Sequence, residues 1–207
     1  MKEQIRKLRL VPVVAIDSVD AAVPLADALC EGGLPCAEIT LRTDAALESI
    51  KALADRDEFL LGAGTVHSVD QAKSVVDAGA RFVVTPGFNP RTVSWCVENG
   101  IPIFPGVATP TDLEMALEHG LEVVKFFPAE TLGGVKTLKA FSGPYGGIQF
   151  IPTGGISATN LKAYLDLSCV LACGGSWMVK SSLIREGNFE EVKRLTDEAV
   201  QLATGSS

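Results

Sequence analysis

Histidine is nearly absent: His67 and His119 are the only two in 207 residues. One falls in a loop stretch and the other near a predicted helix end, so a histidine metal triad is not expected. Cysteine offers no framework either. Cys30, Cys36, Cys96, Cys169 and Cys173 form an odd, scattered set without CxxC spacing, and several sit in apolar runs where cysteine acts as a small hydrophobe, so disulfides are not expected. No apolar run reaches about 18 residues, and the opening MKEQIRKLRL carries charge through its first nine positions, so neither a membrane span nor a secretory signal is predicted. A soluble, cytoplasmic protein with no membrane partner is the expectation. Positive charge is also short. Eighteen Lys and Arg against 25 Asp and Glu give a net charge of -7, interspersed along the chain, with no basic stripe for nucleic acid. An anionic ligand must therefore meet local cations. The lone GAG of residues 62–64 is not followed by GxGxxG spacing, so no nicotinamide cofactor is predicted. Trp95 and Trp177 read as packing residues. Neither a cofactor nor a metal is called for.

What is present is a 47% hydrophobic chain with 20 glycines and 11 prolines, enough for one well-buried core, and a single domain over residues 1–207 is expected. Eight β-rich runs recur: VPVVAI (11–16), CAEITL (36–41), FLLGAG (59–64), RFVVTP (81–86), IPIFPG (101–106), EVVKFF (122–127), QFIPTG (149–154) and VLACGG (170–175). Their starts lie about 20 to 27 residues apart, and the segments between them carry helical apolar spacing, as in Val69, Ala72, Val75 and Val76 before the stop at Gly79. Regular βα alternation requires right-handed parallel crossovers. Eight units in so short a chain predict an α/β fold, a closed (β/α)8 TIM barrel, with an open doubly wound sheet as the alternative that periodicity leaves standing. Residues 1–10 predict an extra N-terminal helix and residues 188–203 the last one, ahead of a small, polar ATGSS tail suited to fraying.

Strand parity then singles out charges that do not suit a core. Along the second strand Cys36, Glu38 and Thr40 share one face, and Ala37, Ile39 and Leu41 the other, so the apolar trio meets the helices and Glu38 points inward. In VVKFF, Lys125 shares its face with Val123 and Phe127 and also points inward. An ion pair of purely structural purpose would account for two such charges. The company around them weighs the other way: Arg42, Thr65, Thr153 and Ser176 all fall just past strand ends, at the mouth where barrels gather their chemistry. The last two strands run into TGGIS (153–157) and CGGSW (173–177), Gly-Gly turns at the two strands where barrels usually hold a phosphate. Burial among Val123, Val124, Phe126 and Phe127 disfavours a charged ammonium at Lys125, while an ionised Glu38 favours it. A neutral amine would attack a ketone and form an iminium that accepts electrons when a neighbouring carbon–carbon bond breaks. Glu38 is the candidate acid/base, Arg42 a bidentate fork for a carboxylate, and Thr65 a hydroxyl donor beside it. The site so assembled takes a 2-keto acid at one end and a phosphate at the other.

At these residues the sequence closely resembles the class I 2-keto-3-deoxy-6-phosphogluconate (KDPG) aldolases, which overlap with the 4-hydroxy-2-oxoglutarate aldolases. The resemblance runs through VPV, AEITLRT, GAGTV, VTPG, FPGVATP, VKFFPAE, GGVK, GPY, PTGGIS and CGGSW, almost the whole chain. It implies that Lys125 is the Schiff-base lysine and Glu38 the acid/base. Arg42 and Thr65 would hold the pyruvate carboxylate, Pro86 would lie near the pyruvyl end, Phe127 would wall the pocket, and Thr153 would contact the hydroxylated tail. Gly154, Gly155, Gly175 and Ser176 would hold the phosphate. It also implies a homotrimer. Some relatives carry arginine at the end of strand one, where this chain has Ile16 and Asp17, which places more of the carboxylate on Arg42. A threonine at 153 resembles the gluconate-configured enzymes and favours KDPG over its galactonate epimer. The rivals are cleavage of 4-hydroxy-2-oxoglutarate, a phosphate-gripping isomerase, and a non-catalytic sugar-phosphate-binding barrel; only an aldolase would trap pyruvate on Lys125.

Overall fold

The computed structural model describes residues 1–205; Ser206 and Ser207, the end of the polar tail, lie outside the described residues. Among the described residues nine short strands are parallel throughout: β1 (Leu10–Val14), β2 (Cys36–Thr40), β3 (Leu60–Gly64), β4 (Phe82–Val84), β5 (Ile103–Phe104), β6 (Gly106–Val107), β7 (Val123–Phe126), β8 (Gln149–Pro152) and β9 (Cys173–Gly175). Helices alternate with them: α1 (Lys2–Leu8), α2 (Ala22–Glu31), α3 (Ala46–Leu53), α4 (Val69–Asp77), α5 (Pro90–Glu98), α6 (Pro110–Glu118), α7 (Gly134–Ser142), α8 (Leu161–Leu165), α9 (Ser181–Arg185) and α10 (Phe189–Thr204).

The strands pair in the order β5-β4-β3-β2-β1-β9 on one side and β6-β7-β8 on the other. Pro105 joins β5 to β6, and a Thr153–Gly174 bridge joins the end of β8 to β9, so the two ladders close into one ring of eight positions. The fifth run, IPIFPG, is thus two strands. Residues 102 and 104 present their carbonyls to β4, whereas Pro105 faces β7, where it has no N–H to donate and its carbonyl accepts from Lys125 N–H at 2.9 Å. The helix starts follow capping chemistry. Ser68, Asn89 and Asn188 accept from the first-turn amides of α4, α5 and α10, and Thr109 with Asp112 forms a capping box ahead of Pro110.

Two apolar clusters divide the molecule. The larger lies between strands and helices and takes Ala37 and Ile39 from β2 and Val124 and Phe126 from β7. The smaller fills the barrel and takes Cys36, Leu60, Phe82, Phe104, Val123 and Ile151. Ile5 of α1 belongs to the interior cluster, with Met1 and Leu8 against it, so α1 plugs the N-terminal end of the barrel. Full burial of one such side chain stabilises by about 1.5–3 kcal/mol. The predicted helix over 1–10 ends sooner, because Arg9 turns left-handed at φ 59° and Leu10 already pairs with Cys173.

Candidate active site

Parity along β2 and β7 sends Glu38 and Lys125 into the barrel from opposite walls. Lys125 Nζ donates to Glu38 Oε1 at 3.4 Å, with 8% and 3% of the two side chains exposed. Each charge removed from water there compensates the other. Phe82, Val84, Phe104 and Ile151 surround the pair and leave almost no free space beneath it. Two glycines of β3 make the arrangement possible: a Cβ on Gly62 would lie 2.1 Å from the Phe82 ring, and one on Gly64 would lie 1.9 Å from Glu38 Oε1. The Phe127 ring stands with its centroid 5.3 Å from Nζ, within cation–π range. Cys36, inside the same barrel, stays a neutral thiol, since burial first and the Glu38 charge second push its pKa up.

Above the pair opens a cavity of about 140 Å³ that brings together Arg42, Phe127, Thr153, Gly154, Gly155, Gly175 and Ser176 from the expected set, with Val13, Ile156 and Gly174. Thr153 borders both this cavity and the Lys125–Glu38 chamber, so the two spaces are adjacent. Arg42 is exposed, and its Nε donates to Thr40 Oγ1 at 3.1 Å; the buried Thr40 hydroxyl in turn donates to the Val14 carbonyl at 2.6 Å. Among the described residues no carboxylate pairs with Arg42, which leaves its two terminal nitrogens for a ligand. Gly154 and Gly155 have φ of 97° and 80°, a left-handed pair that side chains disfavour. Gly175 has a packing reason as well, because a Cβ there would lie 2.0 Å from the Trp177 ring.

Thr65 and Pro86 border neither space. Thr65 follows Gly64 with φ 56°, and the Pro86 carbonyl crowds Gly106, where a Cβ would come within 2.2 Å of it. At the end of β1, Ile16 is buried and Asp17 faces Arg185 across 3.7 Å, so no cation from that strand end reaches the cavity wall. Thr40 and Gly64 are the contributors that sequence reasoning passed over. Both carried a signal, since Thr40 shares Glu38's parity and Gly64 ends the strand that pairs with β2. A larger cavity, about 290 Å³, opens at the opposite end of the barrel around Met1 and Glu122. Its lysine, Lys2, is partly exposed and pairs with Glu122 at 2.5 Å.

A lysine amine beside a carboxylate, both buried at the floor of a small mouth, is equipped to condense with a carbonyl and move protons around the adduct. The comparisons agree. The KDPG and KHG aldolase family model matches residues 1–195. The 2-dehydro-3-deoxy-phosphogluconate aldolase of Treponema pallidum is 49% identical over 201 residues, 97% of this chain and 96% of its own. Among solved structures, the KDPG aldolase of Legionella pneumophila, which holds pyruvate captured at low pH as a covalent carbinolamine, superposes with a TM-score of 0.93 at 38% identity, covering 97% of this chain and 98% of its own. That of Zymomonas mobilis ZM4, with 3-phosphoglycerate, gives 0.91 at 35% identity, covering 97% and 95%. With barrel, buried lysine and full-length similarity in agreement, the chain belongs to the KDPG and KHG aldolase family.

Proposed function

We propose that Lys125 is the Schiff-base lysine with which this class I aldolase, a carbon–carbon lyase, cleaves KDPG to pyruvate and glyceraldehyde 3-phosphate. The observation that carries the assignment is the buried Lys125–Glu38 pair at 3.4 Å beneath the 153–155 and 175–176 loops. Passing one proton from Nζ to the carboxylate leaves a neutral amine, which attacks the C2 ketone. The carbinolamine loses water, with Glu38 returning the proton to the departing oxygen, and an iminium forms. Glu38, again a carboxylate, takes the proton of the C4 hydroxyl. The C3–C4 bond breaks, its electrons pass to the iminium nitrogen, and C4 leaves as the aldehyde of glyceraldehyde 3-phosphate. Protonation of the enamine at C3 and addition of water release pyruvate and restore the amine.

Arg42 holds the carboxylate from the cavity wall, and the family resemblance is what adds Thr65 and Pro86 to the pyruvyl end. Phe127 walls the pocket, Thr153 meets the hydroxylated tail, and Gly154, Gly155, Gly175 and Ser176 hold the phosphate. The whole chain acts as one domain in a cytoplasmic homotrimer, a reading the family resemblance supports and light scattering tests. Among the described residues no helix is long and apolar enough to cross a membrane.

Borohydride reduction in the presence of pyruvate tests the central assignment: a stable pyruvyl mass is expected on Lys125 and nowhere else. Absence of that adduct, or substantial turnover by Lys125→Ala, would remove Lys125 from the role. The same machinery serves 4-hydroxy-2-oxoglutarate, which the family also includes. Specificity constants for both substrates, with and without Ser176→Ala, separate the two, because only KDPG carries a phosphate to lose.

A further inference from the structure

The phosphate loop, Thr153 to Ser157, is held from outside by residues that the reaction does not use. Its first three carbonyls are all engaged away from the cavity. Ala129 N–H donates to Thr153 O at 2.8 Å, Glu130 N–H to Gly154 O at 3.1 Å, and Asn160 Nδ2 to Gly155 O at 2.9 Å. The amides of Gly155 and Ile156 donate to no acceptor among the described residues. A carbonyl presented to an anion repels it and a free N–H attracts it, so fixing the carbonyls outward decides which dipoles a phosphate meets.

Glu130 does more than lend its backbone. Its stem lies against Gly155 so closely that a Cβ there would come within 2.6 Å of Glu130 Cγ. Its carboxylate accepts a hydrogen bond from the hydroxyl of Tyr164, which is wholly buried on α8 at the far side of the loop. The two side chains meet over Gly134, where a Cβ would stand 2.6 Å from the Tyr164 oxygen and 2.9 Å from Glu130 Oε1. Three separate stretches, the PAE that follows the catalytic lysine, the GG that opens α7, and α8, thus converge to strap one loop.

We propose that Glu130 and Tyr164 are positioning residues for phosphate: their hydrogen bond clamps the 153–157 loop in the one conformation that turns its amides toward the cavity. The inference rests on the phosphate reading given above. It also runs against simple electrostatics, which makes it testable. A negative charge beside an anion site weakens anion binding, so removing a bystander carboxylate would tighten the site, whereas removing a strap loosens it.

Steady-state kinetics on the full chain with KDPG and with 4-hydroxy-2-oxoglutarate decide the matter. Tyr164→Phe and Glu130→Ala are expected to raise KM for KDPG about three- to tenfold, the scale of one lost hydrogen bond. KM for the unphosphorylated substrate, kcat, and the yield of trapped pyruvate should stay at wild-type values. Glu130→Gln keeps an acceptor for Tyr164 while removing the charge, so its KM for KDPG should lie at or below the wild-type value. The near-isosteric Tyr164→Phe carries the test if Glu130→Ala does not fold. An unchanged or lowered KM for KDPG in Tyr164→Phe, or a parallel rise for both substrates, overturns the clamp. A wild-type enzyme that shows no preference for the phosphorylated substrate overturns the phosphate reading instead.

Discussion

Gly64 and Glu38 occupy the same space in the sense that only one of them has a side chain to put there. A Cβ on Gly64 would come within 1.9 Å of Oε1 and 2.5 Å of the carboxyl carbon of Glu38. The strand next to β2 therefore leaves room for the carboxylate proposed to move protons. Because the obstructed atoms end a flexible side chain, Gly64→Ala is expected to displace the carboxylate rather than unfold the barrel. A general acid/base contributes about 10²- to 10⁴-fold, so kcat should fall by about tenfold or more while the thermal midpoint drops only slightly. Glu38→Gln, which alters the chemistry without the crowding, should lose that whole factor. A Gly64→Ala enzyme at wild-type kcat would mean that Glu38 does not need its present position.

Stability separates the two members of the buried pair from their pairing. Lys125→Met leaves the Glu38 carboxylate 3% exposed and without its cation, a change that costs about 3–5 kcal/mol when one partner of a buried pair is removed. Lys125→Met with Glu38→Leu removes both charges and fills the barrel with apolar volume, so the double variant should be more stable than the single one in urea unfolding. Equal stability would show that water already screens the pair.

Much of this site is readable from the sequence, and the reasons are local. Parity with period two places Lys125 and Glu38 inside the barrel because their apolar neighbours must face the helices; Val124, Phe126, Ala37 and Ile39 do lie in the helix-facing cluster. The Gly-Gly pairs announce the mouth for two reasons: left-handed φ at Gly154 and Gly155 excludes most other residues, and close approach of Thr153 and Trp177 leaves no room for a Cβ on Gly174 and Gly175. What escapes is anything set by contact between distant segments. Thr40 meets Val14 only through the register of β1 on β2. Tyr164 meets Glu130 only once α8 is laid over the phosphate loop. The break in the fifth strand falls at Pro105, but that its carbonyl meets Lys125 of β7 is set only by how distant strands pair.

Thr40 gives the next expectation. Its buried hydroxyl accepts from Arg42 Nε and donates to Val14 O, so it aims the guanidinium fork without touching a ligand. Thr40→Val preserves shape and removes both bonds. The lost alignment should raise KM for pyruvate-containing substrates about two- to tenfold, matching roughly 0.5–1.5 kcal/mol for one hydrogen bond, with kcat little changed. Thr40→Ser should restore most of it. A KM that follows Thr40→Val and Thr40→Ser equally would point to packing by the methyl group instead.

The buried thiols set a pH dependence of folding. Burial raises the pKa of Cys36 and Cys173 and pushes Cys96 up to about 11, from an ordinary 9.0. Each thiol is held neutral in the folded protein, so the unfolded chain loses its protons first as pH rises. The stability these groups contribute is full below about 9 and declines from there toward their folded values, by about 1.4 kcal/mol per pH unit for each thiol still protonated in the fold. Urea midpoints should therefore fall between pH 9 and 11. Cys96→Ala, which removes one of the three groups, should make that decline shallower even if it lowers stability at pH 7. A decline of unchanged steepness would assign the alkaline loss to lysines and tyrosines, and would mean that Cys96 reaches water in the native barrel.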